Sequence, residues 1–83
     1  MHLYCAFLGG RLGEGRMGED HETVFVVAPD DKAAVVAAKR KWKGVGRAHV
    51  DAIHRLDRVD GFDVALVAGE PGDAGELDPT YRR

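Results

Sequence analysis

The sequence predicts one small domain of the α+β class, in which a single helix covers one face of a four-stranded, mainly antiparallel sheet in the order β-β-α-β-β. Two apolar, β-branched runs precede an alanine-rich stretch, and an Asp-Gly turn follows it. A chain of 83 residues supports one modest core only. The domain is expected to span residues 1–68, and the polar, Gly- and Pro-rich residues 69–83 are expected to form a flexible C-terminal tail.

The first two strands are predicted at residues 2–8 and 22–28. Both runs carry apolar side chains at odd and at even positions, which is typical of a strand covered on both faces. Residues 9–21 hold five glycines among charged residues and predict a long loop. The G-x-G-x-x-G pattern at 13–18 does not predict a dinucleotide site, because a strand and not a helix is expected to follow it.

The helix is predicted over residues 31–43. Asp30 and Asp31 suit its beginning, where short acidic side chains accept hydrogen bonds from free amide groups. The basic residues 39–43 and then Gly44 suit its end. At 100° per residue one face is expected to lie on the sheet, formed by Ala34, Val35, Ala38 and Trp42.

The last two strands are predicted at residues 47–56 and 62–68. Asp60-Gly61 is the strongest turn signal in the chain, since a type I′ hairpin needs positive φ at both central residues. This turn places Arg58 opposite Asp63, and an opposite-charge pair across two strands supports that register.

Composition excludes several functions. The chain has no Ser, Asn or Gln, so it has neither a serine nucleophile nor a side-chain amide for reading adenine. A single cysteine, Cys5, cannot form an internal disulfide, which predicts a cytoplasmic protein, and its apolar neighbours predict an inert core thiol. No run approaches the roughly 20 apolar residues of a membrane span. A net charge of -2 argues against bulk nucleic-acid binding.

A basic stripe on the predicted helix has two interpretations. Its members fall within about 100° of arc at 3.6 residues per turn, and they are Lys32, Lys39, Arg40 and Lys43. They form either a solvated helix face or a weak binding surface for a polyanion.

Histidines and carboxylates form the candidate ligand site. His49 and Asp51 are two residues apart on a strand and therefore face the same side, while Glu19, Asp20, His21 and Glu22 precede the second strand. The candidate ligand-binding residues are His21, Glu22, His49 and Asp51. Such a set can hold a divalent metal or transfer protons, but the spacing matches no recognised ligand motif. A structural role for these side chains competes, and no catalytic residue, metal or cofactor is assigned.

The sequence predicts more apolar sheet surface than its single helix can cover. Two strands are apolar on both sides, whereas one helix covers only one face of a sheet. A second copy of the chain is the simplest cover, so a homodimer is expected.

The order of several short motifs resembles a bacterial family known as domain of unknown function 1543. The resemblance covers residues 1 to about 68, and the motif positions are Gly9, Gly10, Trp42, His49, Asp51, Asp60 and Gly61. It implies a short α+β domain, present in one or two copies per chain, with no established activity, cofactor or substrate. Three functions stay open: a non-catalytic binding or interaction module, a small enzyme or metal-binding protein that uses His49 and Asp51 beside the glycine-rich loop, and weak polyanion binding through the basic stripe.

Overall fold

The computed structural model describes residues 1–11, 13 and 18–72 and shows an α+β fold. The elements are β1 (His2–Arg11), β2 (Asp20–Ala28), α1 (Asp31–Arg40), β3 (Val45–Arg55), β4 (Arg58–Val59) and β5 (Phe62–Asp63). Strands β2, β1 and β3 form an antiparallel sheet in that order, with α1 packed on it, and β4 and β5 form a separate hairpin. These elements confirm the predicted class and the antiparallel sheet. No helix in the described ranges has the length and apolar character to cross a membrane.

The prediction of a four-stranded sheet is wrong, because the expected fourth strand does not join the other three. The Asp60-Gly61 turn forms as predicted, with φ values of 53° and 82°, and the Arg58 Nε donates to Asp63 Oδ1 at 2.9 Å. The tight turn returns β5 onto β4, which lies beyond the end of β3, so residues 62–68 do not pair with the sheet. Only Phe62–Asp63 of that segment is a strand.

The predicted loop over residues 9–21 is wrong at both ends, because the two strands continue into it. Gly9 pairs with His21, and Gly10 pairs with Asp20, so the ladder extends to the glycines. Residues 12 and 14–17 lie outside the described residues, and with them most of the glycine pattern. Strand β2 follows that pattern, as expected.

The predicted helix start is confirmed, whereas its end is wrong. Asp30 caps the helix, and its Oδ1 accepts a hydrogen bond from the Ala33 amide at 2.8 Å. The helix ends at Arg40 instead of residue 43, with Lys41 as its C-cap, so Gly44 is not the stop. The chain leaves the helix there, and the Trp42 ring packs over Gly10 of β1.

The core between α1 and the sheet is built mainly of small side chains. Eight of the described residues are buried in this core, and two of these are large and fully buried, Tyr4 and Leu8. The other buried residues are Ala6, Val26, Ala28, Ala34, Ala38 and Ala48. On the helix, Ala33 and Ala37 pack beside this core in the place expected for Val35. Burial, together with the nearby Asp31 carboxylate, raises the pKa of the Tyr4 hydroxyl above its usual 10.0.

Candidate functional site

One face of the sheet points away from α1, and we call it the open face. Burial alternates strictly along β2, where even positions face the helix and odd positions are exposed. Through the cross-strand register, the odd positions of β1 lie on the same side. The residues that β2 and β1 contribute are His21, Thr23, Phe25, Val27, Leu3, Cys5, Phe7 and Gly9.

A bulge in β3 determines what the third strand adds to the open face. Phe7 pairs with Ala52 and Leu8 pairs with Val50, so Asp51 is an extra residue between two pairs. His49 pairs with Gly9 and lies two residues before Asp51, which puts both side chains on the open face.

Four side chains converge at one end of the open face, and we call them the His/carboxylate cluster: Glu19, His21, His49 and Asp51. The His49 Nε2 lies 2.9 Å from Glu19 Oε1 and 3.0 Å from Asp51 Oδ1. The His21 Nε2 lies 3.2 Å from Glu19 Oε2 and 3.6 Å from Asp51 Oδ2. Each carboxylate therefore contacts both imidazoles. The side chains are 40% to 63% exposed, so the cluster is open to solvent.

Gly9 is the position that lets the cluster form. His21 and His49 are its cross-strand partners on either side, and two strand spacings separate their backbones by about 10 Å. Both imidazoles reach the Glu19 and Asp51 carboxylates above the central strand because Gly9 places no side chain there. A Cβ at Gly9 would lie 2.6 Å from His49 Nε2 and 3.1 Å from Asp51 Oδ2. The glycine therefore has a steric role here and not a turn-forming one.

The structure brings together three of the four candidate ligand residues. His21, His49 and Asp51 lie together in the cluster, but Glu22 faces the helix side of β2, where its Oε1 is buried without a hydrogen-bond partner among the described residues. Glu22 lies outside the cluster because side chains alternate along a strand, and a ligand-binding role for it stays a prediction. Glu19 takes its place. It was visible in the acidic segment, but it precedes β2, so strand alternation could not assign its face.

A shallow hollow of about 290 Å³ opens beside the cluster. Glu19 and His49 form part of its lining, together with Gly46, Arg11 and Arg47. Chemically, the cluster offers two imidazole nitrogens and two carboxylates, which can coordinate a divalent cation or transfer a proton.

The other end of the open face is apolar. We call this the apolar patch: Leu3, Cys5, Phe7, Phe25 and Val27. Phe25 is 54% exposed, Val27 is 47% exposed and Phe7 is 39% exposed. The His54 ring meets Phe7 edge to face at 5.9 Å. Cys5 belongs to this half-exposed patch and not to the core, so its predicted core position is wrong.

The basic stripe is only partly a helix feature. Lys32, Lys39 and Arg40 are exposed on α1, but Lys43 follows the helix end, so the helical arc does not extend to it. Lys32 and Arg40 line one surface hollow, and Lys39 lines a different one with Trp42. A polyanion contact stays a prediction.

Comparison with known proteins gives one finding about the family. Residues 16–66 match the family model described as Domain of Unknown Function (DUF1543). No curated protein and no solved structure matches the chain significantly.

Proposed function

The chain belongs to the DUF1543 family, whose model matches more than half of it, and for this member we propose a non-catalytic binding module that works as a homodimer. The family resemblance is thereby confirmed, although the match begins at residue 16 and not at residue 1. The binding surface in this proposal is the open face, with its apolar patch and its His/carboxylate cluster.

The distribution of large apolar side chains carries the proposal. Five of the eight buried residues are alanine, whereas Phe7, Phe25 and Val27 lie exposed on the open face. Fully burying a side chain such as Phe or Val contributes about 1.5–3 kcal/mol. A large part of the apolar surface in this small domain is therefore available to a partner and contributes little within one chain.

A second copy of the chain suits this surface. A two-fold axis through the apolar patch pairs apolar with apolar side chains and leaves each His/carboxylate cluster outside the contact, where its carboxylates keep their water. Lys41 Nζ donates to the Phe25 carbonyl at 2.6 Å and so occupies part of the β2 edge. Association through the sheet face is therefore favoured over strand pairing at that edge.

The experiment measures the mass of the full chain by sedimentation velocity and light scattering at micromolar concentrations. We expect a dimer, and we expect Val27→Lys to be monomeric because an ammonium group would have to enter the apolar contact. Val36→Lys is the matched control: Val36 is also 47% exposed but lies on α1 and lines a surface hollow there. A monomeric wild-type protein, or two variants of equal mass, would contradict the proposal.

The alternative is a small enzyme in which Asp51 orients the His49 imidazole. Their 3.0 Å contact beside the hollow supports it, but both side chains are about half exposed, and enzymes usually exclude water from the reacting groups. Binding therefore ranks first. Hydrolysis of nitrophenyl esters or phosphates that disappears in His49→Ala and persists in His54→Ala would reverse that ranking.

A further inference from the structure

We propose that the His/carboxylate cluster is a binding site for a first-row divalent metal ion, with Zn²⁺ as its best-fitting occupant. The ligands are the Nε2 atom of His49 and one oxygen from each of Glu19 and Asp51, while His21 lies beside this set, with its Nε2 3.2 Å from Glu19 Oε2. All four residues belong to one chain, so the site does not depend on dimerisation.

The spacing of His49, Glu19 and Asp51 matches three positions of a metal coordination shell. Zinc binds imidazole nitrogen and carboxylate oxygen at about 2.0–2.2 Å, which places neighbouring ligand atoms of a tetrahedral site about 3.3 Å apart. The His49 Nε2 lies 2.9 Å from Glu19 Oε1 and 3.0 Å from Asp51 Oδ1, so both distances lie within about 0.4 Å of the tetrahedral value. Glu19, His49 and Asp51 each present a ligand atom within 4.8 Å of the others.

Hydrogen bonds between the imidazoles and the carboxylates cannot account for all of the short contacts in the cluster. The His49 Nε2 lies close to oxygens of two carboxylates, but a protonated imidazole nitrogen carries a single hydrogen. The same holds for His21, which also faces both carboxylates. A cation held by His49, Glu19 and Asp51 offsets the repulsion between the two carboxylates and leaves the other carboxylate oxygens to His21.

Gly9 is an independent observation that points to the same centre. Glycine is unfavourable inside a strand, and Gly9 lies in the central strand of the sheet. Its space is taken by the cluster, since a Cβ there would lie 3.1 Å from both Glu19 Cδ and Asp51 Oδ2 and closer still to His49 Nε2. The absence of a side chain at Gly9 therefore leaves space at the position on β1 above which the ligand atoms lie.

The ligand types select the ion. Imidazole nitrogen favours Zn²⁺, Co²⁺, Ni²⁺ or Cu²⁺, whereas Mg²⁺ and Ca²⁺ require oxygen ligands. The exposure of the four side chains leaves room for water in the coordination shell. The site therefore takes an exchangeable ion and differs from the closed shell of a structural zinc site.

The test uses the full chain without a histidine tag, stripped with a chelator and dialysed. Zinc chloride is titrated by calorimetry, and Co²⁺ is titrated by visible absorption, which reports coordination by nitrogen and oxygen. We expect one ion per chain and no competition from excess Mg²⁺. His49→Ala and Asp51→Asn should each weaken zinc binding by more than about tenfold, since even outer-shell changes cost that much.

His54→Ala is the matched control, because His54 lies on the same strand and the same face but contacts Phe7 at the apolar end. It should bind zinc as the wild type does. The proposal is overturned if the folded wild-type chain takes up no zinc, or if His54→Ala weakens binding as much as His49→Ala. Far-UV circular dichroism checks that each variant is folded.

Val27→Lys separates this proposal from the dimer. A monomeric Val27→Lys that binds zinc normally supports a site contained in one chain, whatever the wild-type mass. A monomeric variant that has lost zinc binding would overturn it.

Discussion

Two adjacent glycines give the sharpest prediction, because they lie on opposite faces of β1. Gly9→Ala adds a methyl group on the open face, against the ends of exposed side chains. Gly10→Ala adds one on the helix side, 2.8 Å from Trp42 Cζ2 and 3.3 Å from the Arg47 carbonyl oxygen. The same substitution should therefore have different consequences at the two positions.

The magnitudes follow from what each methyl group meets. At Gly9 the neighbours are flexible, so in the absence of metal the alanine should raise the free energy of unfolding by up to about 1 kcal/mol, the usual cost of glycine in a strand. At Gly10 a packed ring and a backbone atom must move, which costs about 1–3 kcal/mol. In zinc, the wild type should be more stable than Gly9→Ala, because an ion at a hundredfold excess over its Kd stabilises the wild type by about 2.7 kcal/mol. Gly9→Ala displaces His49 Nε2 and should therefore lose this stabilisation by zinc.

Urea unfolding of the wild type and both variants, in chelator and in zinc, measures all of these differences. In chelator we expect Gly9→Ala to be at least as stable as the wild type and Gly10→Ala to be the least stable. In zinc we expect the wild type to be the most stable. If Gly9→Ala were as destabilised as Gly10→Ala in chelator, or gained as much from zinc as the wild type, the steric account of Gly9 would be refuted.

Three further predictions concern the fold. Asp30→Ala removes the acceptor for the Ala33 amide and should cost about 1 kcal/mol, measured by urea unfolding. Leu8→Ala empties a fully buried position and should cost about 2–5 kcal/mol, seen as a large fall in Tm; a loss below 1 kcal/mol would contradict the assigned core. The raised pKa of Tyr4 means that its stabilising contribution is complete below about pH 10 and is lost as the pH rises further, because the unfolded chain ionises first. Tyr4→Phe should therefore lose less stability than the wild type between neutral and alkaline pH, and equal pH profiles would contradict this.

Local chemistry made much of the fold predictable. The Asp30 cap, the β-branched β2 and the Asp60-Gly61 hairpin with its Arg58–Asp63 pair depend on neighbours a few residues away. The helix end was not predictable, because Trp42 packs over Gly10, which lies far away in the sequence. The missing fourth strand has a similar cause: whether β5 pairs with β4 or with the sheet depends on where the hairpin lies in space.

The candidate site was likewise predictable only in part from the sequence. Residue spacing alone placed His49 and Asp51 on one side of a strand, and the apolar residues at both odd and even positions of two strands indicated more apolar sheet surface than one helix can cover. Only the tertiary structure put β1 between β2 and β3, and so brought His21 and Glu19 to His49 across a glycine. The physical reason is that periodicity sets the direction of each side chain along its own strand, while the order of strands is set by packing of the whole chain.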